Sequence, residues 1–235
     1  MTKRYWSVLG VYLLAQFAFL IFTPIIYFLT PLNRLEATIY GNIIGFILGL
    51  MIIFYILRFE LRTPVRGAAS TSEVILWSIL GVFMAYFAQA LAVLIEMKIF
   101  GITVESENTA TLMEMTRIAP LFIIVTTIIA PILEEIVFRK IIFGSLYKRT
   151  NFLIAGVLSS LIFAVVHGEL IHILIYASMG FVFAYLYVKT KRIIVPIIVH
   201  MALNTIAVLG QLSLSPEDIE NIRQQLENLQ TIFWG

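Results

Sequence analysis

The chain has 235 residues, of which 60% are hydrophobic and only 13% are charged, and its mean hydropathy is +0.97. An average soluble domain is about one quarter charged, so this composition excludes disorder and an ordinary cytosolic enzyme and indicates a multi-pass protein of the cell membrane. The net charge of +2 argues against a nucleic-acid partner, and the absence of cysteine excludes a disulfide framework, a thiol nucleophile and a zinc site built on cysteine.

Seven apolar stretches follow one another along the chain, at residues 6–29, 38–57, 74–95, 118–143, 152–166, 171–188 and 193–212. A helix needs about 20 apolar residues to cross roughly 30 Å of hydrocarbon. The fourth and fifth stretches satisfy this only if polar groups enter the membrane. Because lipid cannot satisfy exposed backbone groups, we predict an all-α transmembrane bundle of seven spans, or eight if residues 106–115 help to build one.

Lysine and arginine concentrate on one side of these spans, near residues 3–4, 58–66, 140–149 and 189–192. Cytoplasmic loops carry such an excess, so we predict a cytoplasmic N-terminus and, with seven spans, an external C-terminus. The first stretch is too long for the core of a signal peptide and is predicted to be a retained span.

The end of the chain has the pattern of an amphipathic helix. Ser215 is a good N-cap, Pro216 suits the first helical position, and apolar residues recur at helical spacing up to Phe233. We therefore divide the chain into three parts. They are three spans with a connecting loop (1–117), a four-span core (118–212) and an amphipathic C-terminal helix (213–235).

Three charged residues, Glu134, Glu135 and Arg139, lie inside the fourth apolar stretch. Each ionisable group at a helix centre costs about 2.5–3.5 kcal/mol on insertion scales, so they need partners or water. Glu135 and Arg139 are four residues apart on one helical face and are predicted to form a structural ion pair. Glu134 points about 100° away and is left without a partner.

Two of the three histidines also lie next to apolar runs. His167 has Phe163 one turn before it, and His200 has Asn204 one turn after it. If the fourth and fifth spans form a hairpin at residues 150–151, Glu134 and His167 stand at equal depth, each about 24 Å from the turn. They would then share one water molecule.

This set of residues suits hydrolysis of an amide bond in or at the membrane. A glutamate and a histidine around one water form a general-base arrangement, and His200 and Asn204 offer donors to the oxyanion formed by attack on a carbonyl group. Glu134, His167 and His200 would equally make a zinc site with an open position for water. The residues alone leave both options open.

Other intramembrane chemistries lack their residues. Asp218 is the only aspartate, which excludes a di-aspartyl protease, and neither H-E-x-x-H nor G-x-S-x-G occurs. A transporter that uses the charged residues as an ion path and a non-catalytic scaffold are the rivals from other classes. The first half contains no inverted repeat or matching broken helix, which argues against a transporter.

Two further features have more ordinary explanations. Glu169 and His172 lie in the turn between the fifth and sixth stretches, where we expect a solvated loop. Glycine recurs at every fourth position of the second stretch, which predicts close helix packing within the protein, with a homodimer seam as the alternative. These residues are Gly41, Gly45 and Gly49.

Three motifs occur in a fixed order on successive apolar segments. Residues 134–139 read E-E-x-x-x-R, residues 163–167 read F-x-x-x-H, and residues 200–204 read H-x-x-x-N. Together they resemble the CAAX protease and bacteriocin-processing family (CPBP, or Abi) of intramembrane proteases. The resemblance covers residues 120–210.

The resemblance implies a polytopic helical fold with a catalytic cavity among the fourth to seventh spans, and a membrane-associated peptide or protein as substrate. It implies that Glu134 with His167 activates water and that His200 with Asn204 stabilises the oxyanion. The supporting positions would be Glu135, Arg139 and Phe163. The family has been described both as metalloproteases and as metal-independent glutamate proteases. We favour the second description, in which no cofactor is required, with zinc as the alternative. The compact chain looks like the bacterial members, which are linked to peptide processing.

Overall fold

The computed structural model describes residues 1–63, 65–102 and 106–213, and every regular element in these ranges is helical. The predicted C-terminal amphipathic helix, residues 213–235, lies outside the described residues except for Ser213. The first helices are α1 (Lys3–Gln16), α2 (Phe19–Leu29), α3 (Arg34–Arg62), α4 (Thr71–Phe100) and α5 (Glu107–Ile118). A continuous helical run over residues 122–147, here called α6, is followed by α7 (Phe152–Val166), α8 (Ile173–Thr190) and α9 (Ile194–Ser213).

The two longest helices begin at capping boxes. Asn33 and Ser70 each accept a hydrogen bond from the backbone three residues later, where a glutamate bonds back to the cap. Such a box satisfies two of the donors that a helix leaves unpaired at its start. Gly101 then ends α4 in the left-handed conformation (φ 65°), which glycine adopts without steric cost. The loop residues of the sequence therefore fix where these membrane helices start and stop.

The glycine face of α3 packs inside the protein. A Cβ atom added at Gly41 would press on Phe22, one at Gly45 would overlap Ala18, and one at Gly49 would overlap Ala15. All three neighbours belong to the segment from α1 to α2, which bends by 40° between its two helices. The prediction of close packing within the protein is confirmed. This face is therefore occupied and does not serve as a homodimer seam.

The α6 run alternates between two helical geometries. Val125–Ile129 and Ile136–Phe143 are π-helical, and Ala130–Glu135 between them is α-helical. A π-helix is wider than an α-helix, is rarely sustained, and occurs mostly at functional sites. The glutamate pair lies at the end of the central α-helical segment, between the two π-helical ones.

The core joins both halves of the chain. Buried residues of α1, α3, α6 and α7 form one apolar cluster, in which Tyr12 of α1 packs edge-on against Phe138 of α6, with ring centroids 6.0 Å apart. A second cluster joins α4, α8 and α9. Large apolar side chains cover the outside, with Phe28 81% exposed. An exterior this apolar suits a protein surrounded by lipid.

Within the described residues, four helices are long and apolar enough to cross a membrane, and α1 with α2 adds a fifth if the bent pair is one span. The four are Arg34–Arg62, Thr71–Phe100, Leu170–Thr190 and Ile194–Ser213. The all-helical, multi-pass architecture agrees with the prediction. The count of seven to eight spans is not confirmed, because α7 has only 15 residues and α6 carries the charged residues.

Candidate active site

A polar cluster lies where α6, α7 and α9 meet. The α6 run supplies Glu134, Glu135 and Arg139, α7 supplies the Phe163 ring next to His167, and α9 supplies His200. The Phe163 ring connects the set. Its centroid lies 4.4 Å from that of His167 and 5.9 Å from that of His200, and the Arg139 guanidinium carbon lies 4.7 Å from it. The three sequence motifs therefore converge on one aromatic ring.

Glu135 and Arg139 form the predicted ion pair. Arg139 Nε donates to Glu135 Oε2 at 3.0 Å and Nη2 donates to Oε1 at 3.5 Å, with both side chains fully buried. Arg139 Nη1 has no hydrogen-bond partner among the described residues, while the guanidinium carbon also lies 5.5 Å from the centroid of the Phe183 ring. Aromatic faces attract a cation through their quadrupole, so these two rings compensate part of the missing hydrogen bonding.

His200 lies between the two glutamates. Its Nδ1 is 3.1 Å from Glu135 Oε1, and its Nε2 is 3.7 Å from Glu134 Oε2. A carboxylate only accepts hydrogen bonds, so His200 Nδ1 carries a proton and donates it to Glu135. The longer distance to Glu134 is too great for a direct hydrogen bond. The sequence analysis predicted no partner for Glu134. In the structure its carboxylate faces the imidazole of His200 without forming a direct hydrogen bond to it.

Asn204 compensates a defect in α6. Ala130 donates its backbone N–H to the carbonyl oxygen of Val125, five residues earlier, as in a π-helix. Pro131 would be the next donor, to Thr126, but has no N–H. Asn204 Nδ2 donates to that same Thr126 carbonyl at 2.9 Å. The amide nitrogen has two hydrogens, so one is still available to another acceptor. Asn204 therefore binds the backbone carbonyl that Pro131 leaves without a donor.

His167 is held by its own helix. Its Nδ1 is 2.7 Å from the carbonyl oxygen of Phe163, which can only accept, so Nδ1 carries a proton and, in the neutral ring, Nε2 keeps its lone pair. The charge of the Glu134 carboxylate acts on this imidazole. The neutral ring therefore offers one acceptor nitrogen in the neighbourhood of Glu134.

Two aromatic residues of α8 complete the site and were not singled out in the sequence. Tyr176 stacks on His167 with centroids 4.2 Å apart and ring planes at 28°. Phe183 stacks on His200 with centroids 5.0 Å apart and ring planes at 24°. These two residues are seven apart, so they share one face of α8. That spacing was the available signal, although nothing in the sequence indicates which face of α8 meets the histidines.

The expectation of a solvated loop for Glu169 and His172 is wrong. Glu169 is 9% exposed and His172 only 3%. His172 Nδ1 lies 2.8 Å from Oε2 of the buried Glu96 of α4, whose other oxygen accepts from the backbone N–H of Leu174. The position in a turn did not indicate this contact, because Glu96 lies 76 residues away in the sequence.

Glu169 binds the start of α5. Its oxygens accept from Ser106 Oγ at 2.7 Å and from the backbone N–H of Asn108 at 3.2 Å. Burial raises the pKa of Glu169, but the hydrogen bonds from Ser106, Asn108 and Tyr176 outweigh burial and hold the pKa of this carboxyl below its usual range.

The described residues contain no group of three histidine, aspartate or glutamate side chains arranged to hold a metal ion. The Nδ1 atoms of His167 and His200 are already committed to Phe163 and Glu135. The zinc set of Glu134, His167 and His200 therefore stays a prediction.

A helical bundle with buried glutamate, arginine and histidine at its centre defines a multi-pass membrane protein with an internal polar site. Comparison with known proteins identifies its family. Residues 116–206 match the model of the type II CAAX prenyl endopeptidase Rce1-like family. The chain is 43% identical to "Putative membrane peptidase YdiL" of Bacillus subtilis over 245 aligned residues, covering 100% of this chain and 99% of the relative.

Two further relatives agree. The chain is 34% identical to "Membrane-embedded CAAX protease MroQ" of Staphylococcus aureus, covering 99% of each protein. It is 40% identical to "UPF0177 protein YxdF" of Lactococcus lactis over 78 residues, which cover 33% of this chain and 42% of the relative. No solved structure gives a significant match. The chain belongs to the CAAX protease family of membrane peptidases, as its three motifs predicted.

Proposed function

We propose that this protein is an intramembrane endopeptidase in which Glu134 and His167 activate a water molecule. The observation that supports this best is the open Glu134 carboxylate, whose Oε2 lies 3.7 Å from His200 Nε2 with no direct hydrogen bond. The Glu134 side chain is 15% exposed, so a water molecule or a substrate group can reach and solvate its carboxylate. His167, with its Nε2 lone pair, is the second acceptor for that water.

The reaction follows from these positions. The water oxygen attacks the carbonyl carbon of the peptide bond, and its proton passes to the Glu134 carboxylate. His167 Nε2 accepts a hydrogen bond from the remaining O–H group and so orients the attack. When the tetrahedral intermediate collapses, Glu134 gives its proton to the leaving nitrogen. The products are a carboxylic acid and an amine, and Glu134 is again a carboxylate.

The oxyanion needs donors that are in place before attack. The second N–H of Asn204 is one. His200 is the other if both of its nitrogens are protonated. Its Nδ1–H then donates to Glu135 and its Nε2–H points toward Glu134 and the substrate oxygen. Each ring nitrogen of His200 faces a carboxylate oxygen, so a proton on either nitrogen has an acceptor. Arg139 balances the charge of Glu135 and so keeps that carboxylate available to His200.

The substrate that we propose is a membrane-associated peptide or protein. The support is the family match, which is to CAAX prenyl endopeptidases, together with the name of the Staphylococcus aureus relative as a membrane-embedded CAAX protease. A site among membrane helices is reached from the bilayer, so a substrate anchored there is presented to it.

We test this with purified protein in lipid nanodiscs and a library of membrane-anchored peptides, with products read by mass spectrometry. Glu134→Gln and His167→Gln are each expected to abolish turnover while the detergent melting curve stays that of the wild type. Glu114→Gln, on an exposed residue of α5, is the matched control and is expected to retain full activity. Full cleavage by Glu134→Gln would overturn the assignment.

Metal dependence is decided in the same assay. We propose a metal-independent reaction, with zinc bound by Glu134, His167 and His200 as the alternative. Activity that survives a strong chelator, in samples whose metal content is measured in parallel, supports the first. Activity that is lost on chelation and restored by zinc alone supports the second.

We also propose that seven segments cross the membrane, with α6 and α7 as a hairpin of two spans. The support is the pairing of the short α7 with the buried parts of α6 and α8. The natural chain has no cysteine, so single cysteines report directly on sidedness. Cysteines at Thr150 and at Gly168 are expected to react with a membrane-impermeant reagent from opposite sides. Labelling of both from one side would exclude the α7 span.

A further inference from the structure

The imidazole of His167 has more contacts than its motif requires. One face packs on Phe163, whose ring plane is inclined by 63°, and Tyr176 stacks on it at a centroid distance of 4.2 Å. His167 is the C-cap of α7, and the next residue, Gly168, has φ 75° and turns the chain away. The side chain therefore stands at a helix end, where its own backbone holds it at a single atom, Nδ1.

The ring is bonded to Cβ through Cγ, and the hydrogen bond at the neighbouring Nδ1 leaves its plane able to tilt about the line through these two atoms. Tilting moves Nε2, the atom on the opposite edge of the ring. Phe163 limits this movement on one side. Tyr176 is the only described residue of another element with a ring stacked on His167. The orientation of Nε2 therefore depends on where the Tyr176 ring is held.

The Tyr176 ring is anchored by its hydroxyl group. It donates to Glu169 Oε2 at 3.0 Å and accepts from Asn108 Nδ2 at 3.3 Å. Glu169 is itself fixed, because Ser106 Oγ and the Asn108 backbone N–H donate to it. A series of hydrogen bonds therefore runs from the start of α5 through Glu169 to the Tyr176 hydroxyl. The Tyr176 ring in turn stacks on the face of the His167 imidazole.

We propose that Tyr176 is a positioning residue for the reaction, which sets the plane of His167 so that Nε2 points at the attacking water, and that Glu169 holds Tyr176 in place. This rests on the proposed function, because it assigns a purpose to the orientation of His167. Neither residue belongs to the three sequence motifs. Displacing a reacting group by about 1 Å can cost 10²-fold in rate, so a ring that prevents tilting has a measurable kinetic effect.

Three variants separate the contributions of the Tyr176 ring, the Tyr176 hydroxyl group and the Glu169 carboxylate that anchors this hydroxyl. Tyr176→Phe keeps the stacked ring and loses the hydroxyl, Tyr176→Leu loses the ring, and Glu169→Gln weakens the anchor. Tyr185 is the matched control, since it is a half-buried tyrosine of the same helix that packs on Trp77, away from the site. Tyr185→Leu removes a comparable ring from α8 without touching His167.

In the nanodisc cleavage assay, Tyr176→Leu is expected to lower kcat by about 10–100-fold with little change in KM. Tyr176→Phe and Glu169→Gln are expected to lower it by about 2–10-fold, as for one lost hydrogen bond. Tyr185→Leu should leave kcat near that of the wild type. If Tyr176→Leu slows turnover no more than Tyr185→Leu does, or changes KM alone, the positioning role is refuted.

A second readout does not depend on activity. The chain has only three histidines, so labelled imidazole gives few NMR resonances, and His167→Gln identifies those of His167. Loss of the stacked ring is expected to move the His167 resonances in Tyr176→Leu, with those of His200 unchanged, whereas Tyr176→Phe retains them. Unmoved His167 resonances would overturn the proposal. A wild-type protein that cleaves no peptide but shows this shift would refute the proposed function alone. If Tyr176→Leu does not fold, the kcat values of Tyr176→Phe and Glu169→Gln still test the proposal. A wild-type kcat in both variants would refute it.

Discussion

Replacing Arg139 by methionine tests whether the buried ion pair holds the site together. The variant Arg139→Met leaves the Glu135 carboxylate fully buried, with His200 Nδ1 at 3.1 Å as its remaining partner. Removing one member of a buried pair costs about 3–5 kcal/mol, because the other charge stays uncompensated. The remaining bond to His200 places the cost at the lower end, and the lost contacts with Phe163 and Phe183 add about 0.5–2 kcal/mol. We therefore expect a loss of roughly 3–5 kcal/mol in the free energy of unfolding.

The double variant Glu135→Gln/Arg139→Met removes both charges and keeps an oxygen that accepts from His200. Its unfolding free energy is expected within about 2 kcal/mol of the wild type, since neutral replacement of a buried pair is often tolerated. Unfolding by SDS titration in mixed micelles gives the double-mutant cycle. The pair of Arg4, which is 60% exposed, and the partly buried Glu60, 3.9 Å apart, is the control, and Arg4→Met should cost under about 1 kcal/mol. A strictly additive cycle at the buried pair would refute the reasoning.

Asn204→Ala removes one of the two proposed oxyanion donors and is expected to lower kcat by about 10²–10³-fold with KM nearly unchanged, measured in the nanodisc cleavage assay. A fall in melting temperature without a fall in kcat would instead assign Asn204 only to the broken backbone of α6. Gly45→Leu is expected to cost at least about 1–3 kcal/mol of stability by overpacking, whereas Gly10→Leu, where an added Cβ has open space, should be neutral in the same thermal melt. The lowered pKa of Glu169 means that its contribution to stability is present above the usual carboxyl range and is lost as pH falls through that lowered pKa. Glu169→Gln should therefore show a flatter acid limb of melting temperature against pH, and an unchanged limb would contradict the hydrogen bonds assigned to this carboxylate.

The residues of the polar site could be predicted from the sequence, but their arrangement in space could not. Charges inside an apolar run are costly wherever they occur, so Glu134, Glu135 and Arg139 could be singled out by composition alone. The i,i+4 ion pair followed from helical spacing. That both glutamates reach one imidazole did not follow, because adjacent residues of an α-helix point about 100° apart and only the tertiary structure brings the ring of His200 between them.

Other contacts needed the tertiary structure for a different reason. The bond from Asn204 to Thr126 exists because a π-helical segment precedes Pro131, and no local pattern distinguishes that segment from an α-helix. Glu169 was read as solvated because it lies in a turn, yet its partners, Ser106 and Asn108, lie about sixty residues away in sequence. A polar residue in a membrane protein turn can therefore be structural when a distant segment covers it.

In the reaction proposed above, the balance of charge in the site accounts for the tolerance of such a cluster in lipid and for its use in hydrolysis. With His200 doubly protonated, two carboxylates face two cations, Arg139 and the imidazolium, and the cluster is neutral. When Glu134 takes the proton from water, one negative charge leaves its carboxylate and reappears on the substrate oxyanion, next to the same imidazolium. The net charge of the cluster and the bound substrate stays the same through attack, so no new charge is created in a medium that solvates charge poorly. Glu135 and Arg139 do not take part in this transfer. In this form of the site, Arg139 balances the charge of Glu135, and His200 is the cation that both charge distributions share.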